Sequence, residues 1–177
     1  SGKLMVTFFG DGAVHQGATH EAMNLAALYG LPMIFFLENN KYAVSMSVEQ
    51  STFQTELLTR PQAHGIEAVK VDGMNPFAVW LATRWAQEHI EREGRPAFIL
   101  AEVYRYYHQS SSIPGSAFGY RTRDEENAWK ARDPWLFLQR ELTARGILDA
   151  DTLAALDATV TDAVEAAAAS CVEGTGS

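Results

Sequence analysis

Apolar residues form short continuous runs that alternate with helically spaced positions. The runs predict four strands, at residues 4–9, 33–37, 66–71 and 97–104. Between the first two runs, apolar residues at helical spacing predict a helix over 17–29, which Gly30 and Pro32 terminate. A second helix is expected between Asn75, an N-cap residue followed by proline, and Gly94.

Strands that alternate with helices predict a mostly parallel sheet, because parallel neighbours need crossover connections. The runs at residues 35–37 and 98–100 are apolar at every position. Helices are therefore expected on both faces of the sheet, since a strand exposed on one face alternates apolar and polar residues. The predicted fold class is α/β, with three layers (α/β/α).

After residue 104 the alternation of strands and helices ends, and the pattern predicts a loop followed by helices. Residues 107–123 predict a Ser/Gly-rich loop, and a C-terminal helical tail is expected from about residue 133 to 170. Asp149 or Asp151 is expected to cap its last helix. The buried stripe of that helix is predicted at Leu153, Leu156, Val160 and Val164. Without an internal repeat, residues 1–177 are expected to form a single domain.

Composition excludes several classes of partner. The net charge of −8 argues against a nucleic-acid partner or an anionic membrane surface, and no apolar run reaches transmembrane length. A single cysteine, Cys171, permits no internal disulfide, so a reducing cytoplasm is the expected compartment. A bacterial source is expected. Because the first strand begins at residue 4, the chain is expected to be part of a longer polypeptide or one half of a split one.

Polar residues follow the first two predicted strands. Asp11 stands between Gly10 and Gly12, and Asn39 and Asn40 close the second strand. The carboxyl ends of parallel strands lie at the same edge of a sheet, where ligands of such folds bind. The acidic turn and the amide pair are therefore expected to converge in space.

These residue types suit a magnesium-bridged diphosphate. Gly10 and Gly12 let the backbone turn tightly and approach a ligand, and the N–H groups of Gly12 and Ala13 would hold the anion at a helix start. Magnesium prefers carboxylate and amide or carbonyl oxygens. The predicted metal ligands are the Asp11 carboxylate, the Asn40 side chain and the backbone carbonyl of Tyr42.

The segment at residues 10–49, GDGAVHQGATHEAMNLAALYGLPMIFFLENNKYAVSMSVE, closely resembles the alpha subunit of the decarboxylating component of 2-oxo acid dehydrogenase complexes. That group includes pyruvate, branched-chain and acetoin dehydrogenases, and GDG followed by Asn-Asn is the diphosphate motif of thiamine-diphosphate enzymes. The likeness continues through VDGMNPFAV, AEVYRY and PGSAFGYRTRDEENAWKARDP. The family alpha subunit is about twice as long as this chain, and the resemblance implies that the missing half is expected upstream.

The resemblance implies the thiamine-diphosphate-binding fold, with thiamine diphosphate and magnesium as cofactors. It implies a 2-oxo acid as substrate and acyl transfer to a lipoyl group of an acyltransferase or to another acyl carrier. A beta-type subunit would carry the pyrimidine-binding domain and the activating glutamate. A separate chain would supply the upstream half if the polypeptide is split.

One loop departs from the family pattern. Alignment on residues 104–106 and 114–115 puts Gln109 where the family has a histidine that assists acyl transfer, followed by Ser110. His108 stands one position early, so it either substitutes through a shift of the loop or matches a less crucial neighbouring histidine that some family members have. The alignment also shows an apparent two-residue insertion around Ala117 and Phe118, and Ile113 replaces an aspartate.

Two interpretations of this departure stay open. In the first, His108, Gln109 and Ser110 still serve the usual acyl transfer of the family. In the second, the acyl acceptor is a different one, as in a transketolase-like or carboligase enzyme. A further alternative is a non-catalytic assembly subunit. The intact Asp11 and Asn40 argue against that alternative.

Overall fold

The computed structural model describes residues 3–173, and the chain divides into two compact units after Pro134. The strands are β1 (Met5–Gly10), β2 (Met33–Asn39), β3 (Tyr42–Ala43), β4 (Met46–Ser47), β5 (Glu67–Asp72) and β6 (Ala97–Glu102). The helices are α1 (Gly17–Tyr29), α2 (Val48–Ser51), α3 (Thr59–Gln62), α4 (Pro76–Glu93), α5 (Arg123–Lys130), α6 (Pro134–Ala144) and α7 (Ala150–Glu173), with 3-10 turns at Ala13–His15 and Gly115–Phe118. The single domain over residues 1–177 stays a prediction.

Four strands form one parallel sheet in the order β1-β2-β6-β5, and β3 and β4 form a separate antiparallel pair. The four sheet strands were all predicted, and their bounds differ from the prediction by at most two residues. Phe35 of β2 lies opposite Phe98 of β6, so the two central strands place aromatic rings side by side.

Helices cover both faces of the sheet. On one face, Met23 of α1 packs in a buried cluster with Phe35 and its neighbours. On the other face, Ala86 of α4 packs with Ile34 and Ile99. Because β2 and β6 are buried on both faces, their polar residues stand only at the carboxyl ends, at Glu38, Asn39 and Glu102. The three-layer α/β/α prediction is confirmed.

Local signals placed the helix ends correctly. The Asn75 side-chain oxygen accepts hydrogen bonds from the N–H groups of Phe77 and Ala78. Gly30 ends α1 with a φ of 60°, where a side chain would be strained. Of the two candidate caps for the last helix, Asp149 is the one that accepts the Thr152 N–H, at 2.8 Å.

The predicted buried stripe on the last helix is wrong. Leu156, Val160 and Val164 of α7 are 47%, 61% and 63% exposed. Helical spacing shows that residues share a face, but it does not show what covers that face. The helical tail is also interrupted, since residues 145–149 separate α6 from α7. Within residues 3–173, no helix combines the length and apolar character needed to cross a membrane.

Phe98→Ala should lower the free energy of unfolding by about 3–5 kcal/mol, because the ring is fully buried and its loss leaves a cavity. Urea denaturation followed by circular dichroism measures the change. The control is Phe53→Ala, whose side chain is fully exposed and whose effect should stay within about 0.5 kcal/mol. Equal losses in the two variants would contradict the assignment of the core.

Candidate functional site

The acidic turn and the amide pair leave the sheet next to each other. Gly10 of β1 pairs in register with Glu38 of β2, so Asp11 and Asn39 follow at the same edge. The Asp11 carboxylate lies close enough to the Asn40 backbone N–H for a hydrogen bond that lowers its pKa. Two segments far apart in the sequence therefore meet at the carboxyl ends of β1 and β2.

Asp11 is a buried carboxylate, with 3% of its surface exposed. Burial raises the pKa of Asp11 above its usual value, against the lowering effects of N–H groups of Asp11 and Asn40 and of charges on Arg105 and His15. The effect of burial on the pKa of Asp11 is larger than the combined effect of these groups. A cation at this position would favour the ionised carboxylate, so the environment suits a metal ligand.

The amide pair shapes the turn that follows β2. The Asn39 side-chain oxygen accepts the N–H of Lys41, and the Asn40 side-chain oxygen accepts the N–H of Tyr42, both at 3.1 Å. These contacts are turns in which the side chain replaces a backbone acceptor. The predicted metal role of Asn40 is compatible with them, because an amide oxygen has a second lone pair.

The carbonyl of Tyr42 is also suitably placed. The Lys41 carbonyl accepts the Val48 N–H, so residues 41 and 48 occupy a hydrogen-bonded position of the hairpin. Tyr42 lies opposite Ser47 at the next position, and in an antiparallel pair such positions alternate. The Tyr42 carbonyl therefore points away from β4 and is not used by the hairpin.

The reason predicted for Gly12 needs correction. Its φ and ψ are −68° and −40°, values that any residue adopts, so no tight glycine turn occurs there. A Cβ at position 12 would instead lie 2.8 Å from the Cβ of Ala43. Glycine is required because the acidic turn packs directly against the hairpin. Gly10 is simply the last residue of β1.

A 3-10 turn over Ala13–His15 comes directly after Gly12, and α1 begins at Gly17. The first N–H groups of a helical turn have no acceptor within it, so those of Gly12 and Ala13 are available to an anion. The Thr19 hydroxyl donates to the Ala13 carbonyl at 2.8 Å and ties the turn to α1.

The donor set is compatible with a hydrated divalent cation that also binds a diphosphate. Within residues 3–173 no three His, Cys, Asp or Glu side chains cluster around a possible metal position. Asp11 would be the charged ligand, with neutral oxygens from Asn40 and Tyr42. Magnesium accepts such a set because phosphate oxygens and water complete its shell.

The three predicted catalytic residues lie together on the loop after β6. Gln109 accepts a hydrogen bond from Arg105 at 3.2 Å, and His108 accepts one from the Ser110 N–H at 3.4 Å. The His108 ring lies 6.0 Å from the ring of Tyr120. Tyr120 in turn lies 5.4 Å from Tyr42, so one aromatic ring separates His108 from the turn after β2.

Sequence reasoning missed Arg121, which joins the two loops of the site. It is buried and donates hydrogen bonds to the carbonyl of Asn40, at 3.3 Å, and to the carbonyl of Arg105. Its guanidinium lies 4.5 Å from the Tyr42 ring and 4.3 Å from the Tyr104 ring. The available signal was a tyrosine-rich neighbourhood around a basic cluster at residues 121–123, which acidic residues follow directly at 124–126.

A second buried contact closes the same loop. Glu126 of α5 accepts hydrogen bonds from the Ser116 N–H and hydroxyl, both at 2.7 Å. Burial raises the pKa of Glu126, but the two bonds from Ser116, helped by Lys130 and Arg121, hold the pKa below its usual value. The ionised carboxylate therefore stabilises the folded loop.

Gly12→Ala should lower the free energy of unfolding by about 1–3 kcal/mol, because its Cβ would overlap Ala43 and push the hairpin away. Urea denaturation measures this. The control is Gly17→Ala, where nothing lies within 4 Å of the new Cβ. That change should be neutral or stabilise by up to about 1 kcal/mol. A Gly12 variant as stable as the Gly17 variant would contradict the close packing.

Glu126→Gln should reduce the acid sensitivity of the fold. A carboxyl whose pKa is lowered on folding stabilises the protein above its usual pKa of 4.5, and this contribution is lost as the pH falls through the lowered value. Wild type should therefore lose more stability than the variant between about pH 5 and about pH 3. Urea midpoints across that range measure the difference. Asp124→Asn, an exposed change on the same helix, should behave like wild type.

Comparison with known proteins identifies the family. The dehydrogenase E1 component family matches residues 1–174. The chain is 34% identical over 164 residues to the pyruvate dehydrogenase E1 component subunit alpha of Rickettsia conorii (strain ATCC VR-613 / Malish 7), covering 93% of this chain and 49% of that protein. It is 39% identical over 168 residues to the mitochondrial counterpart of Dictyostelium discoideum, covering 94% and 44%. The chain thus spans less than half of these relatives, and it belongs to the dehydrogenase E1 component family.

Proposed function

We propose that this chain is the diphosphate-binding part of an alpha-type subunit in a thiamine-diphosphate- and magnesium-dependent 2-oxo acid dehydrogenase. The names of its relatives support a pyruvate dehydrogenase-like reaction, in which the 2-oxo acid is oxidatively decarboxylated and its acyl group passes to a lipoyl group. The Rickettsia relatives are consistent with a bacterial cytoplasmic setting, although mitochondrial relatives also match.

The observation that carries the proposal is the burial of Asp11 where the turn after β1 meets the turn after β2. Asp11, Asn40 and the Tyr42 carbonyl would hold magnesium, and the N–H groups of Gly12 and Ala13 would hold the diphosphate. Bound thiamine diphosphate supplies the nucleophile for the 2-oxo acid and stabilises the electron pair left when carbon dioxide departs. The role of this chain is to fix that group at the edge of the sheet.

The exposed apolar surface supports a hetero-oligomer. Met5 and Phe8 of β1 are each 63% exposed, and Leu28 and Tyr29 of α1 are exposed to a similar extent. Large exposed apolar side chains on an edge strand and on a helix are compatible with surfaces that other chains cover. The proposed partners are a beta-type subunit with the pyrimidine-binding domain and activating glutamate, a chain supplying the upstream half if the polypeptide is split, and a lipoyl acyltransferase or other acyl carrier.

Gln109 supports a second candidate within the same cofactor class. Glutamine cannot carry a proton at neutral pH, and here its side-chain oxygen is engaged by Arg105. A transketolase-like or carboligase reaction, in which the two-carbon unit goes to a different acceptor, would not need a proton carrier at this position. Product analysis with and without a lipoyl acceptor separates the two candidates.

Calorimetric titration with thiamine diphosphate and magnesium should show binding that requires both magnesium and Asp11. Asp11→Ala removes the charged ligand, so affinity should fall at least about tenfold. The titration is run on the chain alone and on the chain copurified with its beta-type partner, where binding should be tighter.

The matched control is Asp72→Ala. Asp72 ends β5 of the same sheet and precedes Gly73, but it is half exposed and pairs with Arg132. This variant should bind as wild type does. Wild-type affinity in the Asp11 variant, or no binding by wild type in either state, would overturn the proposed site.

A further inference from the structure

A cavity of about 500 Å³ lies where the end of the loop after β6 meets helix α5. Pro114, Ser116 and Ala117 of the loop line it, together with Arg121 and four residues of α5. Small-molecule binding pockets have volumes of about 300–1,000 Å³, so this cavity has the size of a ligand site. The residues that line it are different from those of the candidate diphosphate site.

One face of α5 gives the cavity its polar character. Arg123, Asn127 and Lys130 follow one another at spacings of four and three residues, so they share a face of the helix. Residues 123 and 130 are about 10 Å apart along the helix axis, and Asn127 stands between them. All three residues are exposed, so their N–H donors can be reached from solvent.

The carboxylate among the lining residues, that of Glu126, is already engaged. Its two oxygens accept hydrogen bonds from the N–H and the hydroxyl of Ser116, each at 2.7 Å. Lys130 and Arg121 also act on it electrostatically. With three cations and one carboxylate, the lining residues have a formal charge of +2. The chain as a whole carries a net charge of −8, so the cavity is a local positive region.

Arg121 is the buried cation of this set, with 4% of its surface exposed. Its Nη1 and Nη2 donate to the carbonyls of Arg105 and Asn40, which are neutral acceptors, and its Nε meets no acceptor within residues 3–173. Gly115 packs so closely that an added Cβ would lie 3.0 Å from the Arg121 Cδ, so the side chain has little room to move. A desolvated charge acts more strongly on an anion than a solvated one does.

We propose that this cavity binds the dianionic phosphoryl group of a small phosphate monoester. Two negative charges match the charge of the lining residues. A tetrahedral phosphoryl group offers acceptor oxygens in several directions, which suits donors spread along a helix face, whereas a carboxylate suits a fork of two parallel N–H groups. Asp124 and Glu125 also lie on α5 but do not line the cavity, so the attraction acts at short range.

The probe is methyl phosphate, which is mostly dianionic at about pH 7.5 because the second pKa of a phosphate monoester is about 6. It is titrated into the isotope-labelled chain and followed by NMR. The side-chain NH₂ signals of Asn127 and the backbone amide signals of Ser116 and Ala117 should shift and saturate, with a Kd of about 1–10 mM. Methyl sulfate has the same shape with one negative charge, and succinate has two charges on planar carboxylates. Both should bind at least about fivefold more weakly.

Asn127→Asp places a carboxylate in the cavity without changing the size of the side chain, and it should weaken binding at least about tenfold. Arg123→Gln removes one positive charge and should weaken binding about three- to tenfold. Both positions are exposed, so the fold should be retained. The matched controls are Asn24→Asp on α1 and Arg84→Gln on α4, which make the same changes of charge at exposed positions outside the cavity. Both should bind as wild type does.

Wild-type affinity in Asn127→Asp, or unchanged signals of Asn127 and Ser116, would overturn the proposed site. Binding of methyl sulfate or succinate as tight as that of methyl phosphate would overturn the assignment to a phosphoryl dianion. Shifts confined to the N–H signals of Gly12 and Ala13 would place the probe at the candidate diphosphate site and would also count against the cavity. None of these readouts requires thiamine diphosphate or turnover, so this proposal and the proposed function fail independently.

Discussion

A buried guanidinium holds the candidate site together. Arg121 gives hydrogen bonds to a carbonyl of the turn after β2 and to a carbonyl of the loop after β6, and aromatic rings surround it. Burying a cation is costly, and here carbonyl dipoles and tyrosine faces offset the cost. A desolvated cation–π contact contributes about 2 kcal/mol. Arg121 therefore links the turn that contains Asn40 to the start of the loop after β6.

The electrostatics of the site differ from those of the chain as a whole. A net charge of −8 suggests a surface that repels anions, yet Arg105 and His15 act on Asp11 at the acidic turn, and Arg121 contacts the Asn40 carbonyl in the turn beside it. Together with the N–H groups of Gly12 and Ala13 they create a positive environment at the edge of the sheet. Asp11 is the buried negative group among them. This pattern suits a diphosphate that arrives with its own divalent cation, because each charge then faces an opposite one.

The sequence was sufficient for features that depend on neighbouring residues or on a repeating pattern. The strands, the helix caps at Asn75 and Gly30 and the meeting of the two turns all follow from such local signals. The sequence was insufficient for features that depend on a contact with a residue far away along the chain. Arg121 acts on Asn40 across a separation of 81 residues, and the need for glycine at position 12 comes from Ala43. The exposed stripe of α7 shows the same limit, because periodicity does not identify what covers a face.

The hairpin contains two residues with strained backbone conformations. Lys41 and Val44 adopt φ values of 68° and 59°, which is unusual for any side chain and most unfavourable for the β-branched Val44. Such positions cost of order 1–3 kcal/mol each and persist only where their surroundings fix them. Here the Asn39 side chain accepts the Lys41 N–H, and Arg105 donates to the Val44 carbonyl. The turn is therefore held in its strained form by contacts already present in the protein. A cofactor that binds there would meet ligands already in position, with little further ordering cost.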